Sequence, residues 1–257
     1  MCEYLLRIRG EGLTLISPLL FLLYLSIILF IFGVMIKLDN LRDLVYGKIN
    51  REDLVYIHKK NVFTEFTNNF TDYPYPNIDG TMQDIDEIIA TQKEFMRKGN
   101  WEKYKKFMKD SDGNIHKLIK MKFKEMGIRT DEKFMNWLYK IQTSLGGLVM
   151  QLKVFYNRPR PYQVAYYTKQ DLNPFATTSG NSPAYPSGHC LQARFLMKCV
   201  AYKYPAHAKK LKKFADDIAL TRVVLGVHYP SDNAFSRKIA DELTTYPIIR
   251  EKFFKRL

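Results

Sequence analysis

The hydrophobic pattern begins with a long uncharged stretch near the N-terminus. Residues 12–36 carry no charged side chain and are rich in leucine, isoleucine and phenylalanine. A helix of that length would extend roughly 37 Å at about 1.5 Å per residue, more than the roughly 30 Å of a bilayer core. The pattern therefore predicts a single-pass membrane anchor over residues 1–37.

Two rival interpretations of this stretch stay open, a cleaved signal peptide and a buried core helix. A signal peptide usually has an apolar region of about 7–15 residues and a small-residue cleavage site, and the sequence IFGVMIKLDN offers no such site. Lysines and arginines are more numerous after the stretch than before it, which favours a cytoplasmic C-terminal side. Long domains can cross regardless of charge, so an extracytoplasmic domain, periplasmic in a bacterium, stays open too.

The rest of the chain has the apolar spacing of helices. Residues 38–80 form a loop-rich linker by their content of Asn, Pro, Asp and Gly, and residues 81–257 form the helical domain. Apolar side chains recur there every three or four positions, and a helix from Thr130-Asp131 should run until Pro159 stops it. Later helices are predicted at about 187–204, 207–228 and from 231 into the 240s. The predicted fold class is an all-α bundle.

The composition favours functions that involve anionic partners. The chain has 40 lysines and arginines against 26 acids, a net charge of +14. Its mean hydropathy of -0.27 excludes a multi-span membrane protein. The lysine-rich stretch 93–124 is interspersed with acids on amphipathic helices, so we interpret it as solvated helix faces and predict no specific nucleic-acid partner. The three cysteines, Cys2, Cys190 and Cys199, form no disulfide framework.

Two clusters of residues suit the binding of an anion. Lys153 falls on the last turn of a predicted helix, and the prolines that follow place Arg158 and Arg160 in an extended segment. By itself this is also a basic helix end that suits the helix dipole. Ser187-Gly188 opens the next helix, where a small pair leaves backbone N–H groups accessible to an anion. His189 follows directly, and the helix start should lower its pKa.

A third cluster adds a nucleophile. Arg222 is a single charge in an otherwise apolar helix, which is costly unless it faces an anion or a carboxylate. His228 lies at the end of that helix, and Pro230 allows Asp232 to turn back toward the imidazole. A carboxylate on one ring nitrogen leaves the other nitrogen free to attack.

The three clusters in this order, Lys-x6-Arg-Pro, Pro-Ser-Gly-His and Arg-x5-His-x3-Asp, resemble the signature of the type-2 phosphatidic acid phosphatase and vanadium haloperoxidase superfamily over about residues 137–245. YPSGH and LGVHYPSD look closest to class A bacterial acid phosphatases. Thr221 stands where the family has serine. The resemblance implies a phosphate site without metal or other cofactor, formed by Lys153, Arg160, Ser187, Gly188 and Arg222.

The same resemblance implies a two-step hydrolysis of phosphate monoesters. His228, oriented by Asp232, attacks phosphorus and forms a phosphohistidine. His189 protonates the departing alkoxide and then activates the water that releases phosphate. Vanadate should inhibit by mimicking five-coordinate phosphorus.

Three alternatives stay open at this point. The first is a lipid phosphate phosphatase, whose membrane contact would be residues 12–36. The second is a haloperoxidase, in which vanadate would be the cofactor. The third is an inactive, membrane-tethered basic binding protein. The partner is therefore a small phosphate ester or a lipid phosphate, and the oligomeric state is not indicated.

Overall fold

The computed structural model describes residues 44–47, 49, 51–97, 101–113 and 115–254. The chain divides into two units, residues 1–44 and 45–257, and nearly all of the first lies outside the described residues. The predicted anchor, residues 1–37 with the uncharged stretch 12–36, lies outside the described residues. In the described ranges no helix has both the length and the apolar character needed to cross a membrane.

The second unit is helical, with no strand among its described residues, which confirms the predicted all-α class. Its α-helices are α1 Arg51–Ile57, α2 Ile78–Arg97, α3 Trp101–Gly113, α4 Ile115–Glu125, α5 Glu132–Tyr156, α6 Pro161–Thr168, α7 Gly188–Lys203, α8 Ala208–Val224, α9 Pro230–Leu243 and α10 Pro247–Phe253. Two 3₁₀ segments accompany them, Thr64–Phe70 and Pro205–His207.

Helix α5 is the long helix that carries the first cluster. It begins where the sequence predicts, because the carboxylate of Asp131 accepts a hydrogen bond from the backbone N–H of Phe134 at 3.1 Å. Its buried face repeats at three- and four-residue spacing and comprises Leu138, Ile141, Leu145, Leu148 and Leu152. Lys153 directly follows Leu152, the last residue of that face. The packing of the face in the core therefore also fixes the position of the lysine.

Helices α7, α8 and α9 form the rest of the centre. Helix α7 packs on α8, α9 and α5, and side chains such as Phe195, Ile218 and Ile239 are fully buried among them. The second cluster lies at the start of α7 and the third between α8 and α9. The packing of these helices therefore brings the clusters toward the end of α5.

The segment that the sequence interprets as a linker contributes to this core. Phe63 and Phe70 are fully buried, and the ring of Phe63 stacks on Phe253 with centroids 5.0 Å apart. Helix α1 and the 3₁₀ turn Thr64–Phe70 both lie within residues 38–80 and pack against α5. The domain boundaries at residues 37 and 80 stay predictions.

The third cluster differs from its predicted local structure. Helix α8 ends at Val224 rather than near residue 228, because Gly226 adopts a left-handed conformation with φ of 70° that breaks the helix. His228 consequently lies in the turn between α8 and α9 and not on a helix. The turn directs its side chain to the start of α9.

Replacing Asp131 by alanine should lower the free energy of unfolding by about 1 kcal/mol, because the amide of Phe134 loses its cap. Asp131→Asn keeps a capping oxygen and should lose less than half as much. Urea unfolding followed by circular dichroism measures both. Equal losses in the two variants would mean that the charge beside Arg129, and not the cap, stabilises this end of α5.

Candidate active site

One open cavity of about 580 Å³ brings the three clusters together. Lys153, Gly188, His189 and His228 line it. The other predicted residues, Arg160, Ser187, Arg222 and Asp232, are fully buried directly behind this lining. All eight residues that the sequence singles out therefore meet at one place, although they span about a third of the chain.

His228 is held at both ring nitrogens. Its Nδ1 lies 3.0 Å from Oδ2 of Asp232, and its Nε2 lies 2.9 Å from an Nη of Arg160. The carboxylate requires a proton on Nδ1, so Nε2 carries a lone pair directed at the cationic end of the cavity. Burial, together with the charges of Arg160 and Lys153, holds the pKa of His228 well below its usual value. The imidazole is thus neutral at physiological pH.

Asp232 is the fixed support of this imidazole. Its Oδ2 also accepts from the backbone N–H of Tyr229 at 2.9 Å, and its Oδ1 accepts from Arg158 at 2.6 Å. Burial raises the pKa of Asp232 to about 6, although the charge of Arg158 opposes that rise. The carboxyl group is therefore still mostly ionised at pH 7.

Arg158 was not assigned to the site from sequence. It is fully buried, pairs with Asp232 and, at 3.2 Å, with Asp84 of α2, and lies 3.7 Å above the ring of Tyr229. The sequence could have indicated that Arg158 belongs to the site. Arg158 precedes Arg160 by two residues, and residues two apart in an extended segment point to the same side. No local pattern pointed to Asp84.

Arg222 faces a carboxylate, one of the two partners that its sequence context predicts. An Nη donates to Asp112 of α3 at 2.8 Å, and another donates to Ser179 at 2.9 Å. Burial alone would raise the pKa of Asp112, but hydrogen bonds from Ser179, Thr177 and Thr178 and the charge of Arg222 outweigh it and hold the pKa below its usual range. Asp112 is thus a permanent anion that aligns Arg222. No pattern in the sequence indicated that Asp112 belongs to the site.

Arg160 differs from the other two buried arginines because no carboxylate among the described residues pairs with it. Its guanidinium donates to the carbonyl oxygens of Ser182 and Val227, each at 2.6 Å, and forms no ion pair with any described residue. Burial lowers its pKa to about 10, so it remains charged. Lys153 donates to the carbonyl oxygen of Pro183 in the same region.

Two further polar atoms at this end make no hydrogen bond with the described part of the chain. They are Oγ of Ser187, the residue that precedes α7, and Nε of Arg222. Unpaired buried donors are costly, and an anion with several oxygens would satisfy them. In the described ranges, no group of three or more His, Cys, Asp or Glu side chains is placed to hold a metal ion.

His189 lies in the first turn of α7 and lines the cavity. Its pKa is lowered to about 3, chiefly by burial and then by the charge of Arg222. The sequence predicts a lowered pKa from the helix start, and the structure gives burial and the charge of Arg222 as causes. An anion bound nearby would raise this pKa again, because it offsets the surrounding cations.

In the described helical part of the chain, three cations, a Ser-Gly helix start and a supported histidine meet at one cavity, an arrangement whose chemistry suits an oxyanion beside a nucleophile. Residues 137–240 match the family model of the PAP2 superfamily. This match contains all eight predicted site residues and confirms the resemblance to the type-2 phosphatidic acid phosphatase superfamily. It indicates phosphatase-type hydrolysis of phosphoesters. No curated protein matches the chain.

Arg158→Met should move the acid limb of the pH profile of phosphatase kcat/KM to higher pH. Arg158 lowers the pKa of Asp232, so its loss raises that pKa above about 6 and protonates the support of His228 near neutrality. We expect a loss of about 10- to 100-fold at pH 6 and a smaller loss at pH 8, with Arg158→Lys intermediate. A loss of equal size at every pH would mean that Arg158 acts only through packing.

His189→Asn should make the folded protein less sensitive to acid. The folded-state pKa of His189 is about 3, below the unfolded value near 6.5, so the unfolded state binds more protons between these values. Stability is therefore lost as the pH falls from about 6.5 toward 3. Thermal unfolding at pH 7.5 and 4.5 should show a fall in Tm that is smaller in the variant by about 5 °C. His58→Asn, at an exposed position, is the control, and an unchanged fall in His189→Asn would contradict the lowered pKa of His189.

Proposed function

We propose that this protein hydrolyses phosphate monoesters without a metal ion, as acid phosphatases do, through a phosphohistidine on His228. One observation carries the proposal. At the cavity the imidazole is held by Asp232 at Nδ1, and Nε2, which lies 2.9 Å from an Nη of Arg160, is the ring nitrogen on the side of the cations. Such an arrangement suits nucleophilic attack on phosphorus.

Binding of the substrate dianion is the first requirement. Its own negative charge repels a nucleophile, and Lys153, Arg160 and Arg222 offset that charge on the non-bridging oxygens. The hydroxyl of Ser187 and the backbone N–H groups at the start of α7 supply further donors. Since Arg160 has no carboxylate partner among the described residues, the dianion is also its counter-ion.

The first chemical step forms a bond from Nε2 of His228 to phosphorus and breaks the bond from phosphorus to the ester oxygen. The leaving oxygen takes a proton from His189. That imidazole is neutral in the empty cavity, and the dianion raises its pKa so that it enters the step protonated. Asp232 stabilises the positive charge that develops on the ring of His228.

The second step reverses these roles. His189, now neutral, accepts a proton from a water molecule, and the oxygen of that water attacks phosphorus. The bond from phosphorus to Nε2 breaks, phosphate leaves and His228 regains its lone pair. Asp112 and Asp232 keep Arg222 and His228 in the same position through both steps.

The central test compares the full-length protein with His228→Ala on p-nitrophenyl phosphate. The variant should lose at least about 1,000-fold in kcat, because no other described side chain is supported as a nucleophile in the cavity. The wild type should retain activity in EDTA, be inhibited by vanadate and yield an acid-labile phosphoenzyme after rapid quenching. Activity that EDTA abolishes and a divalent ion restores would contradict the proposal.

The same preparation separates the other activities of this superfamily. Faster turnover of phosphatidate than of p-nitrophenyl phosphate would favour a lipid phosphatase, for which membrane attachment through residues 12–36 stays a prediction. Halide oxidation with peroxide and vanadate would identify a haloperoxidase. Absence of every activity would support a binding protein.

A further inference from the structure

The cavity continues beyond the phosphate-binding residues. Its outer wall comes from α1, α4, α5 and α7, and it comprises Tyr56, His116, Tyr139, Gln142, Thr143 and Gln192. None of these residues belongs to the three clusters. A volume of about 580 Å³ is typical of pockets that hold a whole small molecule rather than an inorganic ion alone. The outer wall is therefore where the organic part of a phosphate ester would lie.

His116 and Gln142 are the two wall residues with unsatisfied polar atoms. Nε2 of His116 and Oε1 of Gln142 are both buried, and neither makes a hydrogen bond of ordinary geometry with the described part of the chain, although the two side chains are near enough for Gln142 to raise the pKa of His116. Buried polar atoms usually have a partner, so a ligand is a reasonable source of one here. The two residues come from different helices, α4 and α5, and face the same cavity.

Contacts with neighbouring helices support both residues. The ring of His116 packs edge-to-face on Tyr139 with centroids 5.1 Å apart. The backbone oxygen of Gln142 accepts from Gln192 of α7 at 3.2 Å. Burial lowers the pKa of His116, although the Gln142 side chain opposes this, so the imidazole is neutral at physiological pH. Each group can thus both donate and accept a hydrogen bond without adding charge.

The chemistry of the wall changes along the cavity. The inner end holds the cations and their carboxylates, while the named outer-wall side chains are uncharged rings, amides and a hydroxyl. Apolar aliphatic side chains of the lining are confined to Ile115, Val149 and Met150. An acyl chain over this wall would leave the polar atoms of His116 and Gln142 unpaired, whereas hydroxyl groups would satisfy them.

We propose that His116 and Gln142 form a leaving-group subsite that selects phosphate monoesters whose organic part carries hydroxyl groups. The inference rests on the proposed phosphatase function. Hydroxyl groups match both residues, because each hydroxyl also donates and accepts. Sugar phosphates and nucleoside monophosphates share this chemistry, and phosphatidate lacks it.

The test uses substrate pairs that differ only in hydroxyl groups, assayed with the full-length protein. Glucose 6-phosphate is compared with cyclohexylmethyl phosphate, and adenosine monophosphate with its 2′,3′-dideoxy form. The wild type should prefer the hydroxylated member of at least one pair by about tenfold or more in kcat/KM, since a site built for hydroxyls rejects analogues without them. The pair with the larger preference shows whether a sugar or a nucleoside is the source of the hydroxyls.

His116→Phe and Gln142→Leu should each reduce this preference about tenfold, mainly through KM for the hydroxylated member. Phenylalanine keeps the ring contact with Tyr139 and removes only the nitrogens. Thr143→Val is the matched control from the same wall, because its hydroxyl is already bonded to the backbone oxygen of Tyr139 at 2.9 Å. It should leave the preference unchanged.

Hydrolysis of p-nitrophenyl phosphate separates the two proposals. If the wild type and the wall variants share His228-dependent turnover of this ester but show no preference for hydroxyls, or prefer phosphatidate, the subsite is wrong and the phosphatase function stands. Equal effects of His116→Phe on both members of both pairs would also overturn the subsite. Absence of any His228-dependent hydrolysis would overturn the function, and the subsite with it.

Discussion

The arrangement of the site depends on three fully buried arginines, Arg158, Arg160 and Arg222. A guanidinium in the interior is costly unless other groups replace its lost hydration. Arg158 is balanced by Asp232 and Asp84, and Arg222 by Asp112. Among the described residues, Arg160 has the carbonyl oxygens of Ser182 and Val227, the Ser182 hydroxyl at 3.5 Å and the ring of His228. Of these three arginines, Arg160 thus has no carboxylate partner among the described residues, and it lies next to the atom proposed to attack phosphorus.

Asp112 and Asp232, the carboxylates paired with Arg222 and Arg158, support different residues of the site. Asp112 keeps Arg222 aligned while hydroxyl and backbone donors surround the carboxylate. Asp232 instead holds His228 and is itself held by Arg158. Since each carboxylate is already engaged, neither has to move when an anion enters. Preorganised groups of this kind stabilise a transition state without reorganising during the reaction.

The low pKa values of His189 and His228 have a related cause. His228 is buried and His189 is partly buried, and both lie among cations, so without a bound anion the neutral form of each imidazole is favoured. In the proposed mechanism, a bound dianion reverses this balance for His189, the proposed proton donor. The outer wall, with its uncharged His116 and Gln142, has little part in that electrostatic balance and is suited to recognition of the organic group.

The sequence by itself determined the helical class, the start of α5 at Asp131, and the eight residues that meet in the cavity. These follow from local patterns: apolar spacing, a capping carboxylate, helix-breaking prolines and short motifs in a fixed order. Only the tertiary structure decided that Asp112 and Asp84 support the site and that His116 faces it. Asp112 lies 110 positions from Arg222, and Asp84 lies 74 from Arg158. No local pattern records such a contact, because it depends on how α2, α3 and α4 pack against the other helices.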